Sequence, residues 1–537
     1  FQEGKFMSKV FDFIVVGAGT AGCLLANRLS ANGKFSVALL EAGGSDNYHW
    51  VHIPVGYLYC MGNKRTDWLY KTTSQKGLNG RALNYPRGKV MGGCSSINGM
   101  IYMRGQANDY DQWRQMGNEG WSWDDVLPYF KNMEDSYEGE SKFHGAGGEW
   151  KVNQQRLSWN ILDSFQEATV EAGIPKVDDF NEGNNFGVSY FKVNQNSGFR
   201  WNTVKAFIKP IKNRKNLHVI SQCEVNKLIL ENNKIQGVEV TRNGKIEDIF
   251  VHKEIILSAG SIGSPKILEL SGIGNPNLLS DLGIETKVKS LNVGENLQDH
   301  LQLRVIYQLE NAQTLNQKAN SLLGKIAIGL EYALKRTGPM SMAPSQLGIF
   351  AMSDKSYETP NLQFHVQPLS LDKFGDPLHD FPGLTASVCN LNPQSRGSVH
   401  ITSKDPKIAP SIDPNYLSEE QDKLVAAQSI ELARKIITQP AMKKYNPKEY
   451  APGIQFQSED ELKKVAGDIG TTIFHPVGTC GMGPGTSSVT DSNLKVRGVE
   501  GLRIADASIM PTITSGNTNA PTLMIAEKAS EIILNSN

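Results

Sequence analysis

Short apolar runs that end in glycine or small polar residues recur along this chain. The first, residues 11–16, is followed by a glycine-rich turn at 17–22, a helical stretch through Leu29 and a second apolar run at 37–40. Short apolar runs bounded by turn residues are typical of buried strands. The first forty residues therefore predict a strand–helix–strand unit of an α/β fold.

Two later segments repeat this arrangement. Residues 254–261 form an apolar run that ends in small residues, and Pro265 predicts the start of a helix, because proline suits a first helical turn. Residues 501–505 form a similar run, and Pro521 predicts the first turn of a helix that continues through Ile533. The N-terminus of this last helix would stabilise negative charge on a bound group.

The region from about residue 301 to residue 465 has a different pattern of predicted strands and helices. It contains predicted strands at 303–309, 362–369 and 384–391, a predicted hairpin near 398–401, and helical stretches at 322–335 and 419–437. The stretch 322–335 is amphipathic. We interpret its apolar side as a face that packs on the core, in preference to one that docks on a membrane.

Composition indicates a large protein without a dominant charge. The 537 residues exceed the roughly 250–300 at which a single hydrophobic core stops growing, so two or more domains are expected. Lysine plus arginine and aspartate plus glutamate each total 55, and this zero net charge gives no support for a nucleic-acid partner or for an anionic-membrane surface. No apolar run approaches the ~18 residues of a transmembrane helix, so no transmembrane segment is predicted.

The cysteines and the N-terminus add two expectations. The six cysteines form no CxxC pair, and no His/Cys/Asp cluster has zinc-ligand spacing, so we expect free thiols in a reducing compartment and no metal. Residues 1–6 precede Met7 and lack the apolar core of a secretory signal. We interpret them as an expression remnant.

The first glycine turn has the spacing of a dinucleotide-binding motif. Gly17 permits a tight turn, Gly19 lets the backbone approach a pyrophosphate, and Gly22 lets helix and strand pack closely. Free N–H groups near Thr20 and Ala21 would favour phosphate charge. Glu41, with Ala42 beside it, ends the second strand, where a carboxylate can accept hydrogen bonds from ribose. The alternative is an ordinary glycine-rich βα turn.

A second glycine-dense run covers residues 86–100. Glycines this dense are useful where a backbone must lie close to a flat or charged group, although clusters of glycine also mark plain turns.

Together these segments resemble the glucose–methanol–choline (GMC) flavoprotein oxidoreductases, and in particular their bacterial choline and alcohol dehydrogenase branch. The likeness extends over nearly the whole chain in family order, through the segments 88–105, 260–274, 294–300, 392–397, 475–480 and 517–519. Met91 and Cys94 depart from the usual pattern of the first segment.

The resemblance implies an α/β fold with a discontinuous, Rossmann-like FAD-binding domain and an α+β substrate domain with an antiparallel sheet. We expect residues 7–157, 193–300 and 466–537 in the first domain and residues 158–192 and 301–465 in the second. FAD is expected to be non-covalent, because Ile97 stands where some relatives attach it through histidine. The residues expected to contact FAD are Gly17, Gly19, Thr20, Ala21, Gly22, Glu41, Ala42, Gly92, Asn98, Gly99, Met100, Ile101, Val225, Asp506, Ala507, Thr518 and Asn519.

The resemblance also assigns the chemistry to His475 and Asn517. A neutral histidine suits removal of the hydroxyl proton of an alcohol, while hydride passes to flavin N5. Asn517 would orient the substrate oxygen, and His300 is interpreted as structural or as a distant wall of the pocket. The expected reaction is oxidation of a primary alcohol to an aldehyde; the alternatives are a hydroxynitrile-lyase-like activity and a non-catalytic flavin-binding protein.

The sequence also bears on the substrate, the electron acceptor and the location of the protein. Choline-oxidising relatives can place a glutamate at the position of Gln302, so a neutral primary alcohol is the leading expectation. The acceptor is oxygen or a quinone-like carrier. We expect a cytoplasmic protein, with peripheral attachment to the inner membrane left open.

Overall fold

The computed structural model describes residues 10–537, so the proposed expression remnant lies outside the described residues. The helices are α1 (Thr20–Leu29), α2 (His49–His52), α3 (Tyr57–Cys60), α4 (Ala107–Gln115), α5 (Trp123–Met133), α6 (Asn160–Glu171), α7 (Gly260–Leu270), α8 (Pro276–Asp281), α9 (Leu315–Asn320), α10 (Leu322–Lys335), α11 (Glu420–Ile437), α12 (Glu459–Ile469) and α13 (Asn519–Ser536).

The strands are β1 (Val10–Val16), β2 (Val37–Leu40), β3 (Tyr70–Lys71), β4 (Asn84–Tyr85), β5 (Glu134–Ser136), β6 (Trp150–Val152), β7 (Gly187–Tyr190), β8 (Gln195–Asn196), β9 (Phe199–Arg200), β10 (Leu217–Ile220), β11 (Cys223–Glu231), β12 (Lys234–Arg242), β13 (Lys245–Leu257), β14 (Ile273–Gly274), β15 (Val288–Lys289), β16 (Leu301–Gln308), β17 (Leu347–Ala351), β18 (Leu362–Gln367), β19 (Gly383–Asn390), β20 (Ser398–His400), β21 (Ser411–Asp413), β22 (Lys448–Ala451), β23 (Gly470–Thr472) and β24 (Leu502–Ile504).

The first large sheet has the order β10-β2-β1-β13-β12-β11, with β24 also paired to β13. Strands β10, β2, β1, β13 and β24 run parallel, whereas β13, β12 and β11 form an antiparallel meander. Both faces of β1 are apolar because helices cover the sheet, and Phe13, Ile14 and Val15 are completely buried. The predicted strand–helix–strand unit is confirmed.

Helix α7 corrects one prediction. It begins at Gly260, not at Pro265, which lies inside the helix. Proline has no N–H to donate to the carbonyl four residues earlier. That carbonyl, of Ser261, instead accepts a hydrogen bond from Thr479 Oγ1 at 2.7 Å, which removes part of the cost of an internal proline. Pro521, by contrast, lies in the first turn of α13, as predicted.

The second large sheet is antiparallel, with the order β22-β16-β19-β18-β17-β7 and with β23 also paired to β16. Side chains alternate between its faces. On β16, Leu303 and Val305 belong to the hydrophobic core of this half of the molecule. Gln302 and Arg304 occupy the other face and line a large cavity. The combination of this sheet with the Rossmann-like sheet confirms the predicted fold class.

The two sheets also bear on the predicted domain boundaries. Strand β7 belongs to the second sheet, and β10 to β13 belong to the first. The crossing expected at 466 falls inside α12, and β23, which follows it, is still hydrogen-bonded to β16. The division of the chain into two domains at these residues stays a prediction.

Helix α10 has the predicted bounds but not the predicted environment. Tyr332 is its buried residue, and the Tyr332 hydroxyl donates to the carbonyl of Gly198 at 2.9 Å. The exposed apolar side chains on this helix are Leu322, Leu323, Ile326, Leu330 and Leu334, of which Leu323 and Leu334 are 80% exposed. The interpretation of α10 as a core-facing helix is wrong.

Candidate active site

A cavity of about 770 Å³ lies between the two large sheets. Its walls include residues that follow the carboxyl ends of β1, β2 and β13, the place where α/β sheets bind their ligands. The opposite wall is the polar face of the second sheet. The predicted residues that line this cavity are Gly17, Gly19, Thr20, Ala21, Glu41, Ala42, Asn98, Gly99, Met100, Ile101, Val225, His475, Asp506, Ala507, Asn517, Thr518 and Asn519.

Gly22 and Gly92 are the two candidates that do not line the cavity. A Cβ on Gly22 would lie 1.8 Å from the carbonyl oxygen of Gly17, so this glycine is needed for close packing behind the turn. Gly92 has a φ of +88° and donates its N–H to the carbonyl of Ala18 at 2.7 Å. Both support the first glycine turn from behind and are not expected to touch the cofactor directly.

Glu41 holds this turn together. Its Oε2 accepts from the N–H of Ala18 at 2.9 Å, and its Oε1 accepts from the N–H of Gly43 at 2.8 Å. Burial raises the pKa of Glu41 to about 7, against the lowering effect of these two hydrogen bonds. The carboxylate still faces the cavity with free acceptor sites. A ribose contact would therefore come in addition to a structural role that the sequence did not indicate.

Asp506 likewise joins neighbouring segments through hydrogen bonds, at the start of α7. Its carboxylate accepts from the N–H of Gly260 at 2.9 Å and from the Ser264 hydroxyl at 2.6 Å, and it also accepts from the N–H of Ser508 at 2.8 Å. Burial raises the pKa of Asp506, although these hydrogen bonds oppose the shift. Asp506 thereby fixes the start of α7 against the segment that precedes α13.

The cavity has the features that FAD requires. A Cβ on Gly19 would have the Cα of Gly93, 3.8 Å away, as its nearest neighbour, so the turn is open towards the cavity. Thr20 Oγ1 donates to Asn519 Oδ1 at 2.8 Å, which brings the N-termini of α1 and α13 together. Asn519 Nδ2 is buried without a hydrogen-bond partner in residues 10–537. Two helix N-termini and an unused amide donor suit a pyrophosphate.

A buried carboxylate sets the position of His475. Asp299 Oδ1 accepts from the backbone N–H of His475 at 2.7 Å, and its Oδ2 accepts from the hydroxyls of Thr472 at 2.6 Å and Tyr85 at 3.0 Å. Phe474, immediately before the histidine, has a φ of +70°. This strained turn directs the imidazole into the cavity.

His300 determines which nitrogen of His475 is the base. His300 Nε2 lies 3.0 Å from the carbonyl oxygen of Leu391, which can only accept, so His300 carries its proton on Nε2. His300 Nδ1 must then accept from His475 Nδ1, 2.9 Å away. The lone pair of His475 is consequently on Nε2. The interpretation of His300 as a distant wall is wrong.

Asn517 is positioned beside that lone pair. Its Nδ2 lies 3.4 Å from His475 Nε2, and its Oδ1 accepts from Gln363 Nε2 at 3.1 Å. The preceding loop is anchored by Asp109, which accepts from both the N–H and the hydroxyl of Ser515 at 2.8 and 2.7 Å. Imidazole and amide therefore face one point in the cavity, as a proton acceptor and a donor.

The pKa shifts keep both histidines neutral. Burial, reinforced by the neighbouring histidines and by Arg87, lowers the pKa of His475 well below its usual value. Burial lowers the pKa of His300 to about 4. At neutral pH His475 is therefore ready to accept a proton.

Sequence reasoning missed the partners that make His475 effective. Asp299 and His300 end the family-like segment 294–300, so their position in a motif was a signal that could have identified them. Gln363 carried no comparable signal, since it is one polar residue of a predicted strand.

A cluster with metal-ligand side chains forms part of an ion-pair network. Within residues 10–537 the group that could hold a metal is His144, Asp179 and Glu182. His144 Nδ1 lies 3.0 Å from Glu134 Oε1 and its Nε2 lies 2.6 Å from Asp179 Oδ2. Burial alone would lower the pKa of His144, but these carboxylates raise it to about 9. The His144 imidazole is therefore held between two carboxylates.

Two further expectations can be compared with the structure. All six cysteines are free thiols, as predicted. Of the helices in residues 10–537, none combines the length and apolar character needed to span a bilayer.

Comparison with known proteins agrees with this architecture. The GMC oxidoreductase N-terminal model matches residues 11–302, and the C-terminal model of the same family matches residues 393–526. The chain is 39% identical to an oxygen-dependent choline dehydrogenase of Photobacterium profundum, with 98% of this chain and 94% of that protein covered. It is also 39% identical to an alcohol dehydrogenase [acceptor] of Pseudomonas putida, over 98% of this chain and 96% of that protein.

Solved structures show the same fold. Pyridoxine 4-oxidase from Mesorbium loti superimposes with a TM-score of 0.88 at 29% identity, over 97% of this chain and 98% of that one. An Aspergillus oryzae formate oxidase, studied for the effect of a mutation on FAD modification, gives a TM-score of 0.92 at 26% identity, with 99% of both chains covered. Family models, full-length relatives and fold agree, and the chain belongs to the GMC oxidoreductase family, whose members imply FAD as the cofactor.

Proposed function

We propose that this protein oxidises a primary alcohol to an aldehyde with non-covalent FAD. The observation that carries the proposal is the unprotonated Nε2 of His475, which faces the cavity beside the Asn517 amide. Relatives that are named choline dehydrogenase and alcohol dehydrogenase support oxidation of a CH–OH donor.

Each group of residues in the site has a separate role in the proposed reaction. The glycine turn, Asn519 and the start of α13 would hold FAD, which when bound supplies a hydride acceptor, flavin N5. Asn517 Nδ2 donates to the substrate oxygen and holds the hydroxyl close to the imidazole. His475 Nε2 then takes the hydroxyl proton as the carbon–hydrogen bond breaks. The positive charge that forms on His475 is shared with His300 through the hydrogen bond between their Nδ1 atoms.

Anaerobic reduction separates this function from its alternatives. A primary alcohol added without oxygen should bleach the flavin absorbance of the holoenzyme. A hydroxynitrile-lyase-like enzyme or a non-catalytic flavin-binding protein would keep its oxidised spectrum with every alcohol in a panel. Reoxidation by oxygen alone, compared with reoxidation by a quinone analogue, then identifies the acceptor.

Non-covalent FAD makes a separate prediction. Ile97, at the position of covalent attachment in some relatives, is buried in the cavity wall and has no nucleophilic atom. Acid or heat should therefore release intact FAD into the supernatant, with no flavin absorbance on the precipitated polypeptide. Flavin that remained on the denatured chain after washing would contradict this.

The exposed side of α10 supports peripheral attachment to a membrane. We infer that it lies on an anionic bilayer surface, because five large apolar side chains there are at least half exposed and the basic residues Lys318, Lys325 and Lys335 lie exposed around them. Lys325 and Ile328 of the same helix line the cavity. Docking of α10 on the membrane would therefore bring the cavity close to a membrane-borne quinone.

Co-sedimentation with vesicles tests this inference. The protein should pellet with vesicles that contain phosphatidylglycerol and should bind less to phosphatidylcholine alone. Leu323→Glu combined with Leu334→Glu should abolish binding, whereas the matched pair Ile246→Glu and Ile454→Glu changes exposed apolar residues elsewhere and should not. Equal binding by both double variants would contradict a docking role for α10.

A further inference from the structure

Arg304 is a cation that lines the cavity and forms no ion pair with a carboxylate of residues 10–537. It lies on β16, and its Nε and Nη2 are buried without a hydrogen-bond partner in residues 10–537. Two fully buried arginines are paired with carboxylates, Arg104 with Glu134 at 2.6 Å and Arg503 with Glu254 at 2.6 Å. Arg200, which is also fully buried, instead donates from Nη1 to the carbonyl of Ser95 and to Asn98 Oδ1. A buried guanidinium without a partner is costly in free energy, so a bound anion would stabilise Arg304.

The carboxylates in the described part of the cavity wall do not supply this anion. Glu41, Glu224 and Asp506 line the cavity on the first sheet, where they belong to the cofactor side. Asp376 lines it too, but it is exposed on a loop at the rim, where water and salt screen its charge. Burial accordingly lowers the pKa of Arg304, and Tyr57 offsets this in part.

The position of Arg304 relative to the base indicates the shape of a ligand. The strand β16 starts directly after His300, and four extended residues at about 3.3 Å each place the Cα atoms of His300 and Arg304 about 13 Å apart. Apolar side chains line the same cavity, among them Leu315, Ile328, Met342 and Leu369. A ligand that reaches from His475 to Arg304 would pass these apolar side chains, which suit a chain of several carbons.

We propose that the substrate is an alcohol with a carboxylate at its far end, an ω-hydroxy carboxylate, and that Arg304 binds this carboxylate. A guanidinium offers two parallel N–H donors to a carboxylate, and its single charge matches that of one carboxylate. Gln302, two residues earlier on the same face, is neutral and does not compete with the cation. The proposal rests on alcohol oxidation as the function of the site and names its substrate class, with a charge opposite to that of choline.

Paired substrates test the proposal. Anaerobic reduction of the holoenzyme is followed with 8-hydroxyoctanoate and with 1-octanol, and octanoate serves as a non-reacting competitor. Wild type should prefer the hydroxy acid. Arg304→Met should lower kcat/KM for 8-hydroxyoctanoate by about 10- to 100-fold and leave 1-octanol nearly unchanged, because one charged hydrogen-bonding group is lost. Arg304→Lys should retain an intermediate preference.

The controls separate the rival explanations. Arg114→Met removes an exposed arginine and should change neither substrate. If Arg304→Met instead loses FAD, or slows both substrates equally, Arg304 serves the cofactor or the fold and the proposal is overturned. Oxidation of 1-octanol by wild type without preference for the hydroxy acid would overturn this proposal alone. Failure of every alcohol to bleach the flavin would overturn the proposed alcohol oxidation. In that case, octanoate binding that is present in wild type and lost in Arg304→Met would still support an anion site at Arg304.

Discussion

His475→Ala is expected to fold and to retain FAD but to lose reduction of its flavin by alcohol, by about 10²–10⁴-fold. The loss follows from the geometry, because Nε2 of His475 is the unprotonated nitrogen that faces the cavity beside Asn517. Anaerobic stopped-flow absorbance at the flavin band measures it directly. His252→Ala removes an exposed histidine elsewhere and serves as the matched control.

The pH dependence of wild type sharpens this prediction. Because burial lowers the pKa of His475, the imidazole stays unprotonated and competent down to a pH below the usual histidine range. The rate of reduction should thus be constant through neutral pH and fall only at a pH well below the usual histidine pKa of about 6.5. This acid limb should be absent from the residual rate of His475→Ala. Near-normal reduction in that variant, with the limb intact, would assign the base to another group.

The second large effect is expected at His300. His300→Leu removes the acceptor for His475 Nδ1–H, so the ring is free to adopt the other tautomer or to rotate, and reduction should slow by about 10–100-fold. His300→Gln should recover much of the rate, because an amide oxygen can accept the same hydrogen bond. FAD content should remain at the wild-type level in both variants.

A purely structural role for His300 would give a different result. Both variants would then lose reduction together with thermal stability, and glutamine would rescue neither. Retained stability with a rate that depends on whether residue 300 can accept a hydrogen bond identifies His300 as a positioning residue.

Much of the FAD-binding part of the fold was predictable, because it depends on interactions between residues that are close in sequence. The turn from Gly17 to Gly22 needs glycine for reasons that concern neighbouring atoms, and the structure confirms both the turn and its flanking elements. The same local logic failed at Pro265, where a hydroxyl distant in sequence, that of Thr479, satisfies the carbonyl that proline leaves free. It also failed at α10, because an amphipathic pattern shows that a helix has an apolar side and cannot show what covers it.

The sequence by itself determined the family, the fold class, the position of the dinucleotide motif and the identity of His475 and Asn517 as candidates. Only the tertiary structure decided how they work. The link from Leu391 through His300 to His475 joins residues up to 175 positions apart, and no periodicity encodes such a contact. The unpaired charge of Arg304 likewise became visible only when every neighbour was in place, since a missing partner is a property of the assembled cavity and not of the chain.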